Sequence, residues 1–407
     1  MKRIFVILVM LVAVSVNAQW VQMSNGMGNR LINALAANGN TIYAGTDSSG
    51  VYISTNNGTN WSQSSLNNRS VQSILISGNT IFAGTNNYGV YSSTNGGINW
   101  TQTSLNDKTV STLAANGNTV FAGAYAYSIG GVYVSTNSGV NWIQTSLSNI
   151  LVYSIVVNGG NIFAGTVGSY GGTGGVYIST NNGTNWTQTS LNNSTVQCLI
   201  GNGNNIFAAY NFFGVYLSTN NGLNWNQTSL DYTYGWSFAS YGNNVFAGTN
   251  YINSTNNGGV FHTSNNGASW VHQNQGFPNY TSCLALLISN NYVFAGTNYS
   301  VWRRPLSDFV GIQNISTETP SAYSLSQNYP NPFNPTTNIK FSNIKSGDVK
   351  LIVYDVTGRE VQTLVNESLQ PGTYEAAFDG AALNTGVYFY KLITGTFSET
   401  KKMLLIK

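Results

Sequence analysis

The eight residues STNNGTNW stand at Ser54–Trp61 and again at Ser179–Trp186, and four variants of them occur elsewhere. Each follows one pattern: Ser or Thr, any residue, Asn, any, Gly, two more, Trp. The variants are Ser93-Asn95-Gly97-Trp100, Ser135-Asn137-Gly139-Trp142, Ser218-Asn220-Gly222-Trp225 and Thr263-Asn265-Gly267-Trp270. With Gly58-Trp61 and Gly183-Trp186 they place six tryptophans 39, 42, 44, 39 and 45 residues apart. An internal period of this length limits the fold more than any other feature, because each copy must be a small unit that buries its face on its neighbours.

The rest of each period is as regular as the box. A short apolar run such as VQSILI leads to a GN turn, then IFAGT, a segment of variable length, and GVYxST. The IFAGT element begins at Ile42, Ile81, Val120, Ile162, Ile206, Val245 and Val293, seven copies in all. Runs of four to six β-branched and aromatic residues bounded by Gly, Asn and Ser read as strands, and no helical period is sustained. Four strands in about 40 to 45 residues is the size of a propeller blade. The box is then a turn between a blade's third and fourth strands. Its Asn and Gly supply side-chain caps and positive φ, and its Trp is an apolar anchor.

The box resembles the Asp-box (BNR) repeat of sialidases and related propellers, S-x-D-x-G-x-x-W, with Asn in place of the usual Asp. The resemblance implies a propeller and a structural box. Loss of the charge removes any metal role, and the likeness implies little about activity. Seven inner strands against six boxes leave the last blade one strand short. The stretch QWVQMSNG at Gln19–Gly26 has the form of NWTQTSLN. Trp20 is therefore expected to open the missing strand beside SVWRR, Ser300–Arg304, closing a seven-bladed ring from both ends.

Residues 1–18 read as a signal peptide: Lys2 and Arg3, an apolar run over Ile4–Val16, and small residues ending at Ala18. Thirteen apolar residues are short for a membrane span, so no transmembrane span is expected in the mature chain. The propeller is assigned to 19–305, where the charges are only Arg30, Arg69, Lys108, Arg303, Arg304, Asp47, Asp107 and Asp231. Residues 306–322 are polar and read as a linker. Beyond it come LSQNYPNPFNPTTNIKFSN, strand-like VKLIVYDV and GVYFYKL, and a lysine-rich end.

That final segment, 323–407, resembles the C-terminal sorting domain of type IX secretion substrates. The matching residues are Tyr329-Pro330-Asn331-Pro332-Phe333, Thr357-Gly358-Arg359-Glu360, Gly386-Val387-Tyr388 and Lys401-Lys402-Met403. The resemblance implies a small immunoglobulin-like β-sandwich, the type IX machinery as a partner, and a secreted or outer-surface location reached through the periplasm. The whole chain is thus expected to be all-β, a seven-bladed propeller plus a C-terminal sandwich.

Chemistry is mostly absent. Glycoside hydrolysis needs a pair of carboxylates, yet the three propeller Asp lie in different blades and Glu is missing there. His262 and His272 are too few for zinc, and no metal or cofactor is expected. Gly171–Gly175 is a loop without a following helix, a poor phosphate cradle. Scattered cations argue against nucleic acid. Cys198 and Cys283 are read as buried thiols at one shared place in the first strands of blades five and seven.

Variation among the repeats concentrates on one face of the disc, in the loops between second and third strands and between blades. Those loops carry Tyr125, Tyr127, Tyr170, Phe212, Phe213, Tyr232, Tyr234, Trp236, Tyr251 and Tyr280. Rings among Asn, Ser and Gly suit a polysaccharide or an envelope protein, and loops on a rigid scaffold are where function tends to reside. The expectation is a non-catalytic binding module. Two alternatives stay open: a passive structural or adhesive surface protein, and a degenerate Asp-box glycoside hydrolase.

Overall fold

The computed structural model describes residues 19–406 except 127–128, 169–173, 252–257, 310–311, 317 and 381–382. The signal segment expected at 1–18 therefore lies outside the described residues. Among these residues, those up to number 305 form seven four-stranded antiparallel sheets. The first comprises Ile32–Asn38, Thr41–Thr46, Val51–Ser54 and Ser62–Gln63. Six sheets are contiguous in sequence. The seventh takes Cys283–Ser289, Tyr292–Thr297 and Ser300–Pro305 from one end of the chain and Val21–Gln22 from the other. Val21 stands opposite Arg303 and Gln22 opposite Trp302. First strands touch first strands all round, and Ile32–Asn38 meets Cys283–Ser289 to close the ring.

The second strands are buried almost end to end because they are covered on both faces by neighbouring sheets. Phe82, Phe121, Phe163, Phe207, Phe246 and Phe294 are fully buried, and Tyr43 takes the same place in the first sheet. The Gly of IFAGT is where the next sheet's first strand comes closest. A Cβ on Gly45 would lie 2.7 Å from Val71 Cγ1, and one on Gly165 would lie 2.8 Å from Val196 Cγ1. Between sheets five and six the pair is exchanged. Ala209 replaces the Gly and Gly235 replaces the Val, and a Cβ on Gly235 would lie 2.7 Å from that of Ala209. Either arrangement leaves room for one side chain, as close packing requires.

Each box grips the sheet before it. In the fourth, the Gly183 N–H donates to Ser179 Oγ (2.9 Å), Ser179 Oγ donates to Asn181 Oδ1 (3.0 Å), and Asn181 Oδ1 accepts from the Asn185 N–H (2.8 Å). The left-handed residue is not this Asn but its successor Asn182 (φ 55°), followed by Gly183 (φ 82°). A Cβ on Gly183 would lie 2.7 Å from Phe121 of sheet three. Trp186 Nε1 donates to Gly183 O at 3.0 Å, so the Trp also staples its own turn.

Two expectations change here. The stretch 306–322 is not a plain linker. Leu306 and Phe309 are buried with Trp20, Phe246 and Trp302 in the core of the last sheets, and Arg304 pairs with Asp308 at 3.0 Å. Ile312–Ser316 is a strand of the C-terminal domain, pairing with Gly372–Asp379. The cysteines also do not share a place. Cys198 stands opposite Ala209 and Cys283 opposite Thr297, the latter where Val196 stands in sheet five. Both are free thiols, and burial pushes each up to about 12.

The C-terminal domain has two four-stranded sheets. One holds Ile312–Ser316, Gly372–Asp379, Thr336–Asn343 and Ser324–Leu325; the other holds Glu360–Leu369, Gly347–Tyr354, Gly386–Thr394 and Phe397–Leu405. Phe333 is buried in the core between them, beside Phe378 at 5.7 Å.

Candidate functional site

In every blade the first strand slips register once, near its start. The slips fall between Ile32 and Ala34, Val71 and Ser73, Val110 and Thr112, Val152 and Ser154, Val196 and Cys198, Gly235 and Ser237, and Cys283 and Ala285. A β-bulge re-aims the extra side chain. The seven extra residues are Asn33, Gln72, Ser111, Tyr153, Gln197, Trp236 and Leu284, and all line one cavity of about 550 Å³. The cavity is the mouth of the ring channel on the variable-loop face. Leu31, Asp47, Thr109, Tyr125, Asn250, Ser282 and Asn298 complete its wall.

The wall mixes rings with polar groups. The rings are Tyr125, Tyr153 and Trp236 of sheets three, four and six, with Tyr234 stacked on Trp236 at 6.2 Å and Phe212 edge-on to Tyr234 at 4.8 Å. Burial raises the pKa of both Tyr125 and Tyr153, helped by Tyr153 beside the first and Tyr234 beside the second, so both stay neutral phenols. The amides and hydroxyls are held by hydrogen bonds. Ser282 N donates to Asn298 Oδ1 at 2.9 Å, Gln72 Nε2 donates to Ser70 Oγ at 2.7 Å, and Asn33 Nδ2 donates to Val71 O at 3.3 Å. Gln197 Oε1 is buried with no hydrogen-bond partner among the described residues.

The loop aromatics do not act as one surface. Tyr125 and Trp236 enter the cavity, and Phe212 and Tyr234 extend its rim. Tyr251 and Tyr280 form a separate edge-on pair at 4.8 Å, tied to the cavity through the Tyr251 N–H on Ser282 Oγ. Phe213 packs on Tyr210, and Tyr232 is exposed. Tyr127 and Tyr170 lie outside the described residues. Phe212, Tyr232 and Tyr280 have φ of 61°, 47° and 64°. Bulky side chains rarely adopt such a backbone, and each costs about 1–3 kcal/mol. Of the bulge residues, reasoning from loops reaches only Trp236; Asn33, Gln72, Ser111, Tyr153, Gln197 and Leu284 lie outside it. The trace of all seven is a single column of the repeat, N, Q, S, Y, Q, W, L, varying beside a position that is Val in four of the seven copies.

The charged groups are elsewhere. Asp47 is the one carboxylate among the described lining residues, while Asp107 pairs with Lys108 at 3.5 Å. Arg69 lies over Tyr88 at 3.9 Å and Arg303 over Tyr292 at 4.3 Å. His262 stacks on Phe246 and meets Asn244 Oδ1 at 2.8 Å; burial, then Arg304, pushes it down to about 4. His272 is lowered by burial. Among the described residues no three His, Cys, Asp or Glu could share a metal ion, and no helix is long and apolar enough to cross a membrane.

In the C-terminal domain, the Phe333 N–H donates to Leu404 O (2.9 Å), the Leu404 N–H donates to Asn331 Oδ1 (3.0 Å), and the Ile406 N–H donates to Phe333 O (2.9 Å). The Pro330–Pro332 stretch is thus pinned to the final strand, whose Lys401 reaches Glu399 at 3.1 Å while Lys402 is exposed. Asp355 caps the turn through Gly358 (φ 79°) and accepts from Arg359. Gly386 opens the strand that pairs with Phe397–Leu405.

No curated protein sequence matches the chain. Among solved structures, PorZ, a surface component of the type IX secretion system of Porphyromonas gingivalis, is 14% identical, with a TM-score of 0.55 over 93% of this chain and 60% of its own. YCF48 from Cyanidioschyzon merolae is 15% identical, with a TM-score of 0.54 over 71% of this chain and 98% of its own. The GH74 xyloglucanase of Xanthomonas campestris is 13% identical, with a TM-score of 0.57 over 80% of this chain and 59% of its own. At these identities the likeness shows the propeller fold alone. Residues 327–407 match the family model of the secretion system C-terminal sorting domain. The chain therefore couples a β-propeller to a type IX sorting tail, which implies export to the cell surface or secretion.

Proposed function

We propose that the protein is a secreted or surface-attached, non-catalytic binding module, delivered through the periplasm by type IX secretion, that holds a neutral glycan or protein partner at the channel mouth. The observation that carries this reading is the convergence of all seven bulge residues on one cavity. Seven copies of a repeat need only one side chain there for packing; they instead supply amides, a hydroxyl, two rings and a Leu, a mixture suited to recognition. Concave sites lined by rings and a few fixed polar groups are typical of ligand binding. A single lining carboxylate favours binding over hydrolysis, which needs two. Replacing Tyr125, Tyr153 and Trp236 together by Ala should abolish retention on any surface polysaccharide or envelope protein that holds the wild type. Retention should also change little between low and high salt, since Asp47 is the one charged residue among the described lining residues. Unchanged retention in the triple variant would sink the proposed site.

A further inference from the structure

We infer that the channel mouth receives the end of a neutral carbohydrate chain, entering along the ring axis; this rests on the binding-module reading above. Every sheet contributes a lining side chain at the depth of the bulges, so the cavity has no side exit there. A polymer that reaches Gln197 and Trp236 must do so by its terminus, because its middle would have to pass through a sheet. About 550 Å³ is the scale of a small-ligand site, whereas a stable protein partner covers about 800 Å² on each side.

The chemistry of the wall matches a pyranose better than a peptide. A sugar ring presents C–H faces that stack on aromatic rings, here Tyr125, Tyr153 and Trp236, and hydroxyl edges that both donate and accept. Amides come from Asn33 and Gln72 of the first two sheets, and the Ser111 hydroxyl stands beside the rings, bonded to Val152 O. Gln197 supplies the sharpest constraint. A buried amide oxygen without a partner is costly, and rotation about its broad terminal torsion turns either an acceptor or a donor toward a ligand. A terminal sugar hydroxyl satisfies it; an apolar side chain does not.

The test uses the full chain on immobilised linear glucan, xylan and mannan, before and after limited hydrolysis. On the polymer that binds, capacity per unit mass should rise in proportion to the chain ends created. Linear oligosaccharides of that sugar should compete, and a cyclic one of the same linkage should not. Gln197→Leu should weaken binding about three- to tenfold, and Trp236→Ala, at a cavity ring that is 40% exposed, should do so at an unchanged melting temperature. Capacity that ignores the number of ends overturns the inference and leaves the binding module standing. Capture of an envelope protein through Trp236, with no glycan retained, does the same. Retention of neither overturns both readings.

Discussion

Gly183 shows why the box could be read so far ahead of the structure. Its φ of 82° asks for glycine, and a Cβ there would also meet Phe121 Cε1 at 2.7 Å. Two independent demands fall on one residue, so every copy keeps it. Thr184 beside it faces solvent and is replaced by exposed Ile98, Val140 and Leu223 in other boxes. Gly183→Val should therefore destabilise the protein by at least about 1–2 kcal/mol from the backbone alone, with the clash adding to it, whereas Thr184→Val should be nearly neutral. Equal melting temperatures for the two variants would contradict the box geometry. The bulge residues are the opposite case. Nothing in a period-two strand announces a slip of register, and a loop-based search looks past the strand start, which is why Tyr153 and Gln197 escaped it.

At the level of the element, the two-residue strand Val21–Gln22 was legible because counting copies exposed a vacancy that only another segment could fill. Its weight lies in the residue before it. Trp20 is 2% exposed, stacks on Phe277 at 4.8 Å and donates from Nε1 to Gln273 O at 2.6 Å. Trp20→Ala should cost about 3–5 kcal/mol and lower the melting temperature sharply, while Val21→Thr, half exposed on the outer edge, should change it little. A Trp20→Ala melt like that of the wild type would mean that the ring does not depend on closure by this strand. The segment after the ring was misread for the converse reason. Leu306, Phe309 and Ile312 are isolated apolar residues in a polar stretch, too few to show a period, and they are buried in two different cores, the first two in the last propeller sheets and Ile312 in the C-terminal domain, that only the folded chain brings near.

Across the whole molecule, one strand sets the geometry. Gly235–Tyr241 carries Trp236 at the cavity end, and its last residue, Tyr241, donates from its hydroxyl to Asn366 O of the sorting domain at 3.0 Å. Five residues at about 3.3 Å each put roughly 16 Å between the two ends. The sorting domain thus rests on the turn face of the ring, beside Tyr241–Asn244 and with Ile312 and Leu364 nearby, and the variable-loop face with its cavity stays open. A tail that anchors or exports the propeller from the turn face does not cover the proposed site. The division between the two parts falls after Phe309, not at the end of a linker. A propeller ending at Phe309 keeps the Arg304–Asp308 pair and the Phe309 ring over which Arg304 lies at 4.6 Å. One ending at Pro305 leaves Arg304, whose side chain is 5% exposed, without its carboxylate, and breaking a buried pair costs about 3–5 kcal/mol. Residues 19–309 should therefore melt well above residues 19–305. When expressed in a type IX-secreting host with residues 1–18 in place, the 1–309 chain should stay within the cell envelope while the full chain reaches the exterior, as followed by fractionation. Matching melting curves would remove the structural role of residues 306–309, and the shortened chain outside the cell would show that export does not need the tail.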